Sequence, residues 1–133
     1  MSFAWLDEPE ALAVHERLLV LHGGAAGVRD AALLASALAR PQQIAAYRED
    51  AEVIDLAVAY KVAIVRNHPF IDGNTRTGFV LGVLFLELNG ARFVADEAAA
   101  TRAVMGLADG TLDEAGYTAF LRANVAPPEL SKQ

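Results

Sequence analysis

Cysteine is absent from this 133-residue chain, which excludes a disulfide framework, a thiolate nucleophile and any cysteine-based metal site. Basic residues are scarce. Eleven Lys+Arg stand against 17 Asp+Glu, a formal net charge of −6, and that balance repels phosphate backbones, so no direct nucleic-acid partner is expected. Long apolar runs are missing as well. The longest, Gly78 to Leu86, is less than half of the roughly 20 residues needed to cross a bilayer, and no membrane span is expected. The first residues, Met1 to Glu8, lack the basic and apolar regions of a secretory signal, so a cytoplasmic location is the default expectation. No Gly-, Pro- or Ser-rich tract marks a linker. The expected organisation is one domain over residues 1–126 and a mobile C-terminal tail over 127–133.

What the chain has in quantity is apolar surface and alanine. Hydrophobic residues make up 54% of the sequence, enough buried area to oppose the ordering entropy and to exclude disorder. Alanine, the best helix former, occurs 27 times, and Gly and Pro fall in small clusters at helix-length intervals. The expected fold is all-α. A first helix runs from about Asp7 to His22, with Leu12, His15, Glu16, Leu19 and His22 on one stripe and Gly23-Gly24 as its stop. Asp30 caps a second helix that ends at Pro41. The segment Gln42 to Asp50 shows no clean period and reads as an extended or hairpin-like excursion. A third helix spans about Ala51 to Asn67. Residues Thr75 to Leu88 are apolar on every face of a helical wheel, so this helix belongs at the centre of the core. Asn89-Gly90 ends it. Asp96 opens a further helix to about Asp109, and Thr111 to Glu114 has the form of a capping box for a last helix to about Val125. Pro127-Pro128 closes the fold.

The chemistry concentrates between the third helix and the apolar one, in Asn67-His68-Pro69-Phe70-Ile71-Asp72-Gly73-Asn74-Thr75-Arg76. A helix N-terminus offers unpaired N–H groups and the positive end of a dipole, a ready anion site. Gly73 allows close backbone approach or positive φ. Arg76 is unfavourable in a first turn unless an anion or a carboxylate partner accompanies it. By residue type, His68 can take a proton from a hydroxyl and Asp72 suits Mg²⁺. Asn74 can cap the helix and bond a phosphate, and Arg76 can hold a phosphate in its fork. Phosphoryl transfer requires mainly such positioning and charge stabilisation. The same residues read equally as an ordinary helix stop, a turn and a cap, with Arg76 paired to a surface carboxylate. His15 and His22 read as structural or surface residues, and Trp5, Tyr47 and Tyr117 as packing residues. Lys61 and Arg66 read as a solvated face, with Arg66 kept as a secondary candidate for its closeness to His68.

His68 to Arg76 resembles the signature of the Fic/Doc family, H-P-F-x-[D/E]-G-N-G-R, at every specified position except the second Gly. Gly23-Gly24 through Val28-Arg29-Asp30, Ala37 to Gln42 and the helix ending Leu88-Asn89-Gly90 resemble its short Doc (death-on-curing) branch, and the likeness covers roughly His15 to Val125. The resemblance implies a compact helical bundle around a central buried helix with a short flap or hairpin, the flap falling at Gln43 to Asp50 and docking the target's extended chain. It implies His68 as general base and Asp72 as the Mg²⁺ ligand. Gly73, Asn74, Thr75 and Arg76 become the nucleotide-phosphate site and Phe70 the buried anchor of the loop. It further implies ATP as co-substrate and a Ser/Thr hydroxyl of a translation factor, elongation factor Tu, as target. The expected partner is a Phd-like antitoxin acting through its C-terminal segment, since no Ser or Thr starts the family's internal inhibitory motif S/T-x-x-x-E-[G/N]. Two departures bear on the reaction. Thr75 stands where the adenylyl-transferring branch has Gly and the Doc branch has Lys, and Phe79 stands where the former has a second Arg. Phosphate transfer, AMP transfer (AMPylation) and a non-catalytic peptide- or antitoxin-binding domain are therefore the three readings to separate.

Overall fold

Aspartates open four of the helices in the computed structural model, which describes residues 2–126. Asp7 caps α1 (Glu8–His22), its carboxylate accepting from Glu10 N while the Glu10 side chain accepts from Asp7 N. Asp30 caps α2 (Ala31–Tyr47) through Leu33 N. Asp96 and Asp113 do the same for α5 (Glu97–Asp109) and α6 (Glu114–Ala123). Each such cap is worth about 1 kcal/mol. The other two helices are α3 (Val53–Asn67) and α4 (Asn74–Leu88).

α4 runs through the core as its apolar wheel predicts, and it shares the centre with α3. α3 packs along α4, α2 covers the other side of α3, and α1, α5 and α6 close the remaining faces. The close approach of α3 and α4 depends on glycine. A Cβ built on Gly78 would lie 3.1 Å from the Lys61 carbonyl oxygen, and one on Gly82 would lie 2.9 Å from that of Ala57. Gly78 and Gly82 are one turn apart, so the face presented to α3 is bare backbone. Around this pair Trp5 stacks on Phe85 at 5.5 Å and Tyr60 tilts against it at 5.1 Å. Lys61 is buried beside the Tyr117 ring. Its burial lowers its pKa, against which Glu114 and Asp113 act.

The structure corrects several expectations. α2 does not stop at Pro41 but continues to Tyr47, with Pro41 buried inside it. A proline there costs about 3 kcal/mol in an isolated helix; burial of its own ring and partial burial of Ile44 and Ala45 against the core offset that cost. The expected hairpin-like flap over Gln43 to Asp50 is consequently the end of a helix followed by a turn at residues 49–50. Tyr47, expected to pack, is 92% exposed. On α1 the inward positions are Ala11 and His15, whereas Glu16 and His22 are exposed. The Thr111–Glu114 capping box does not form. Thr111 instead bonds Asp109 through both N and Oγ1, leaving Asp113 as the cap. The all-α expectation holds, with one short strand pair added, Arg92–Phe93 (β1) antiparallel to Val125–Ala126 (β2). Pro127-Pro128 and the tail lie outside the described residues. No helix among the described residues is long and apolar enough to cross a membrane.

Candidate active site at the start of the fourth helix

The loop between α3 and α4 is held from both ends by its own peptide groups. α3 ends on His68, whose N–H donates to Ile64 O and whose backbone is left-handed at φ 53°. A non-glycine residue in that region is strained, histidine less than most. The strain is held in place by Arg29, whose Nε donates to His68 O at 2.7 Å and whose Nη2 donates to Asn67 O at 3.0 Å. One guanidinium thus satisfies two carbonyls at the negative end of the α3 dipole. The adjoining backbone completes the strap, with Arg29 N and Asp30 N donating to Pro69 O and Ile71 N donating to Gly27 O.

Phe70 is fully buried and stacks on the His15 ring at 3.8 Å. Its N–H donates to Asn74 Oδ1 and its carbonyl accepts from Asn74 Nδ2. The Asn74 side chain, buried at the first position of α4, is therefore occupied in closing the loop; the N-cap is Gly73, at φ 77°. Any contact of Asn74 with a phosphate falls to its backbone N–H. His15, itself buried, donates through Nε2 to the Asp72 carbonyl at 2.8 Å. The Asp72 carboxylate stays exposed, one oxygen accepting from Gly73 N and the other from Ala25 N.

These constraints bring the predicted residues to one place. His68, Asp72, Gly73, Asn74, Thr75 and Arg76 line a single depression of about 250 Å³, closed on the far side by Val104 and Ala108 of α5. The N–H groups of the first turn of α4 face no intrahelical acceptor there. The imidazole of His68 is exposed and has no hydrogen-bond partner among the described residues. Arg76 has no carboxylate within ion-pair distance among the described residues. Arg76 thus stands in a first turn, beside N–H groups that suit an anion, with no carboxylate partner among the described residues. Phe70 lies beneath the depression as an anchor, and Arg66 lines a different cavity between α2, α3 and α6.

Asp72 fits a divalent cation of the Mg²⁺ kind. Mg²⁺ is commonly held by one or two carboxylates together with substrate phosphates, and each Asp72 oxygen keeps an acceptor site beyond its one backbone bond. No group of three or more His, Cys, Asp or Glu is gathered among the described residues. Among the described residues, Asp72 would therefore be the one carboxylate available to such a cation in the depression.

Sequence reasoning gave no role to Arg29 or to the α5 wall. Arg29 lies 39 positions from His68, so no local period signals it. Its place in Gly27-Val28-Arg29-Asp30, immediately before a helix cap, was the only trace. One further residue is out of balance: Thr77 is fully buried and its Oγ1 finds no partner among the described residues. Thr77→Val removes an unsatisfied hydroxyl at almost constant volume and is expected to raise stability by about 1 kcal/mol, read as an increase in Tm on thermal unfolding.

The Fic/DOC family model matches residues 5–86. The chain is 30% identical over 117 residues to the protein kinase doc of Escherichia phage P1, covering 88% of this chain and 92% of that protein. It is 37% identical over 94 residues to the toxin Doc of Mycolicibacterium smegmatis, covering 69% of each.

Proposed function

Because this chain belongs to the Fic/DOC family, we propose that it is a Doc-like toxin that transfers a phosphate from ATP to a Ser/Thr hydroxyl of a translation factor, elongation factor Tu being the target to try first. The observation that carries the reading is Arg76, a first-turn cation without a carboxylate partner among the described residues, facing the same depression as the unencumbered His68 imidazole. The names of the two relatives, a protein kinase and a toxin, support the phosphotransferase branch.

In this reading the α4 N-terminus and Arg76 hold the nucleotide phosphates and compensate charge as it moves toward the leaving group. His68 accepts the proton of the target hydroxyl as its oxygen forms the new bond to phosphorus. The P–O bond to the leaving nucleotide breaks in the same displacement, giving phosphorylated target and ADP. Mg²⁺, held by Asp72, would supply charge neutralisation on the phosphates. Asp72→Asn gives up one exposed backbone bond, the 3.2 Å one from Ala25 N being the weaker, and is expected to keep the fold while moving the Mg²⁺ requirement for transfer to higher concentration, read as the midpoint of a Mg²⁺ titration.

The proposed partner is a Phd-like antitoxin acting through its C-terminal segment, and one surface feature supports that reading. An apolar groove of about 530 Å³ between α1, α4 and α5 adjoins the depression and shares Arg76 and Val104 with it. Leu21 and Met105 on its walls are 57% and 62% exposed. A C-terminal antitoxin segment folding into this groove as an amphipathic helix would cover apolar surface and block access to Arg76 together. Action on a translation factor also assigns the protein to the cytoplasm.

The test is mass analysis of elongation factor Tu, and of whole lysate, after incubation with the antitoxin-free protein, ATP and Mg²⁺, with the His68→Ala protein in parallel. A phosphate-sized increment that requires His68 is expected. An adenylate-sized increment would move the protein to AMP transfer, and the absence of either on every hydroxyl would leave antitoxin binding as its function.

A further inference from the structure

We propose that the cavity between α2, α3 and α6 is a second anion site, separate from the depression at α4 and suited to a small phosphate ester. It has a volume of about 390 Å³ and shares no lining residue with that depression, a size within the range of small-molecule pockets. In a chain of net charge −6, three arginines, Arg40, Arg48 and Arg66, border this one cavity.

The cavity's own lining carries three arginines against two acids, Asp55 and Glu114, and ion pairing leaves two of the arginines without a partner among the described residues. Asp55, on the same wall, lies 3.7 Å from Arg48 and 3.8 Å from Arg122, and Arg48 also reaches Asp50 at 3.6 Å. Glu114, the other acid on the cavity, acts electrostatically on Lys61. Asp55 is thus matched by Arg48 and Arg122, and Glu114 pairs with neither Arg40 nor Arg66 among the described residues. Arg40 and Arg66 have no hydrogen-bond or ion-pair partner among the described residues. Two guanidiniums bordering one cavity make it cationic, and an anion bound there would neutralise that charge.

The chemistry of the occupant follows from the lining. Guanidinium forks pair with phosphate oxygens in two parallel bonds. Val58, Ala59 and Val62 give the cavity an apolar side, which suits a ligand with a small organic body attached to its phosphate. The site lies against the last turn of α3, where Asn67 borders the cavity and its carbonyl accepts from Arg29. It is therefore one residue from His68 along the chain, although the two depressions share no lining residue. The inference does not depend on the transferase reading.

The experiment titrates inorganic pyrophosphate, without Mg²⁺, into the ¹⁵N-labelled full chain and follows the arginine Nε–Hε signals by NMR at matched ionic strength. Saturable shifts at Arg40 and Arg66 are expected, with a midpoint independent of any change at Arg76. Arg40 is exposed and unpartnered among the described residues, so Arg40→Ala should melt as the parent protein does. It should weaken binding read at Arg66 about tenfold or more, the loss of a charge-assisted bond, and leave Arg76 unchanged. An Arg66 titration indifferent to Arg40→Ala would overturn the proposal. So would pyrophosphate shifts confined to Arg76, or equal saturation by acetate, which would assign the cavity to carboxylates such as those of an acidic protein segment.

Discussion

His68→Ala is expected to reduce transfer to the target hydroxyl by about 10² to 10⁴-fold, the range a general base contributes, and to abolish toxicity with it. The imidazole is exposed and carries no hydrogen bond among the described residues, so its removal takes away proton acceptance without breaking a contact. What the substitution does disturb is backbone preference, because position 68 is left-handed at φ 53° and alanine pays about 1 kcal/mol there. His68→Gly separates the two effects. Glycine adopts that conformation freely, so this variant should be at least as stable as His68→Ala yet equally inactive. Transfer measured by target mass and stability measured by thermal unfolding decide the matter. Retained transfer in both variants would remove His68 from the chemistry.

The second large effect is structural. Gly82→Ala is expected to destabilise the fold by about 1–3 kcal/mol through overpacking, although alanine is intrinsically the better helix former by about 1 kcal/mol. The new methyl would lie 2.6 Å from Tyr117 Oη and 2.9 Å from Ala57 O. The first contact can yield by movement of one side chain; the second is backbone of α3 and yields only if the two central helices separate. For a domain of this size the loss corresponds to a fall in Tm of roughly 3–10 °C. Tyr117→Phe tests the assignment, because it removes the hydroxyl that the methyl meets and gives up only a long 3.4 Å bond to Phe79 O. In that background Gly82→Ala should cost less, a coupling that a double-mutant cycle measures directly. Equal cost in both backgrounds would place the whole effect on the Ala57 carbonyl. An unchanged Tm would mean that α3 and α4 do not approach as closely as the glycines suggest.

Much of the helix map was legible because helix starts and stops are local. Asp7, Asp30 and Asp96 accept N–H groups within three residues of themselves, and such signals survive in sequence. The exceptions are equally instructive. Pro41 is a stop by local rules and lies in mid-helix because the core buries it. Thr111 fits a capping box by spacing, but its hydroxyl is taken by Asp109. The strand pair β1–β2 joins residues more than 30 positions apart and leaves almost no period in two-residue strands.

By itself the sequence determined the helical class, the caps at Asp30 and Asp96, the apolar centre of the bundle and the segment that carries the candidate chemistry, since each depends on residue type and on spacings of a few residues. Tertiary structure decided which groups meet. It turned Asn74 inward to close the loop on Phe70, brought His15 from α1 and Arg29 from the loop after it to hold Asp72 and His68 in place, and left Arg76 without a carboxylate partner among the described residues. It also set Arg66 on another cavity altogether. These outcomes follow from segments tens of residues apart packing against α3 and α4, and side-chain direction at such contacts is fixed by packing, for which a single sequence holds no local code.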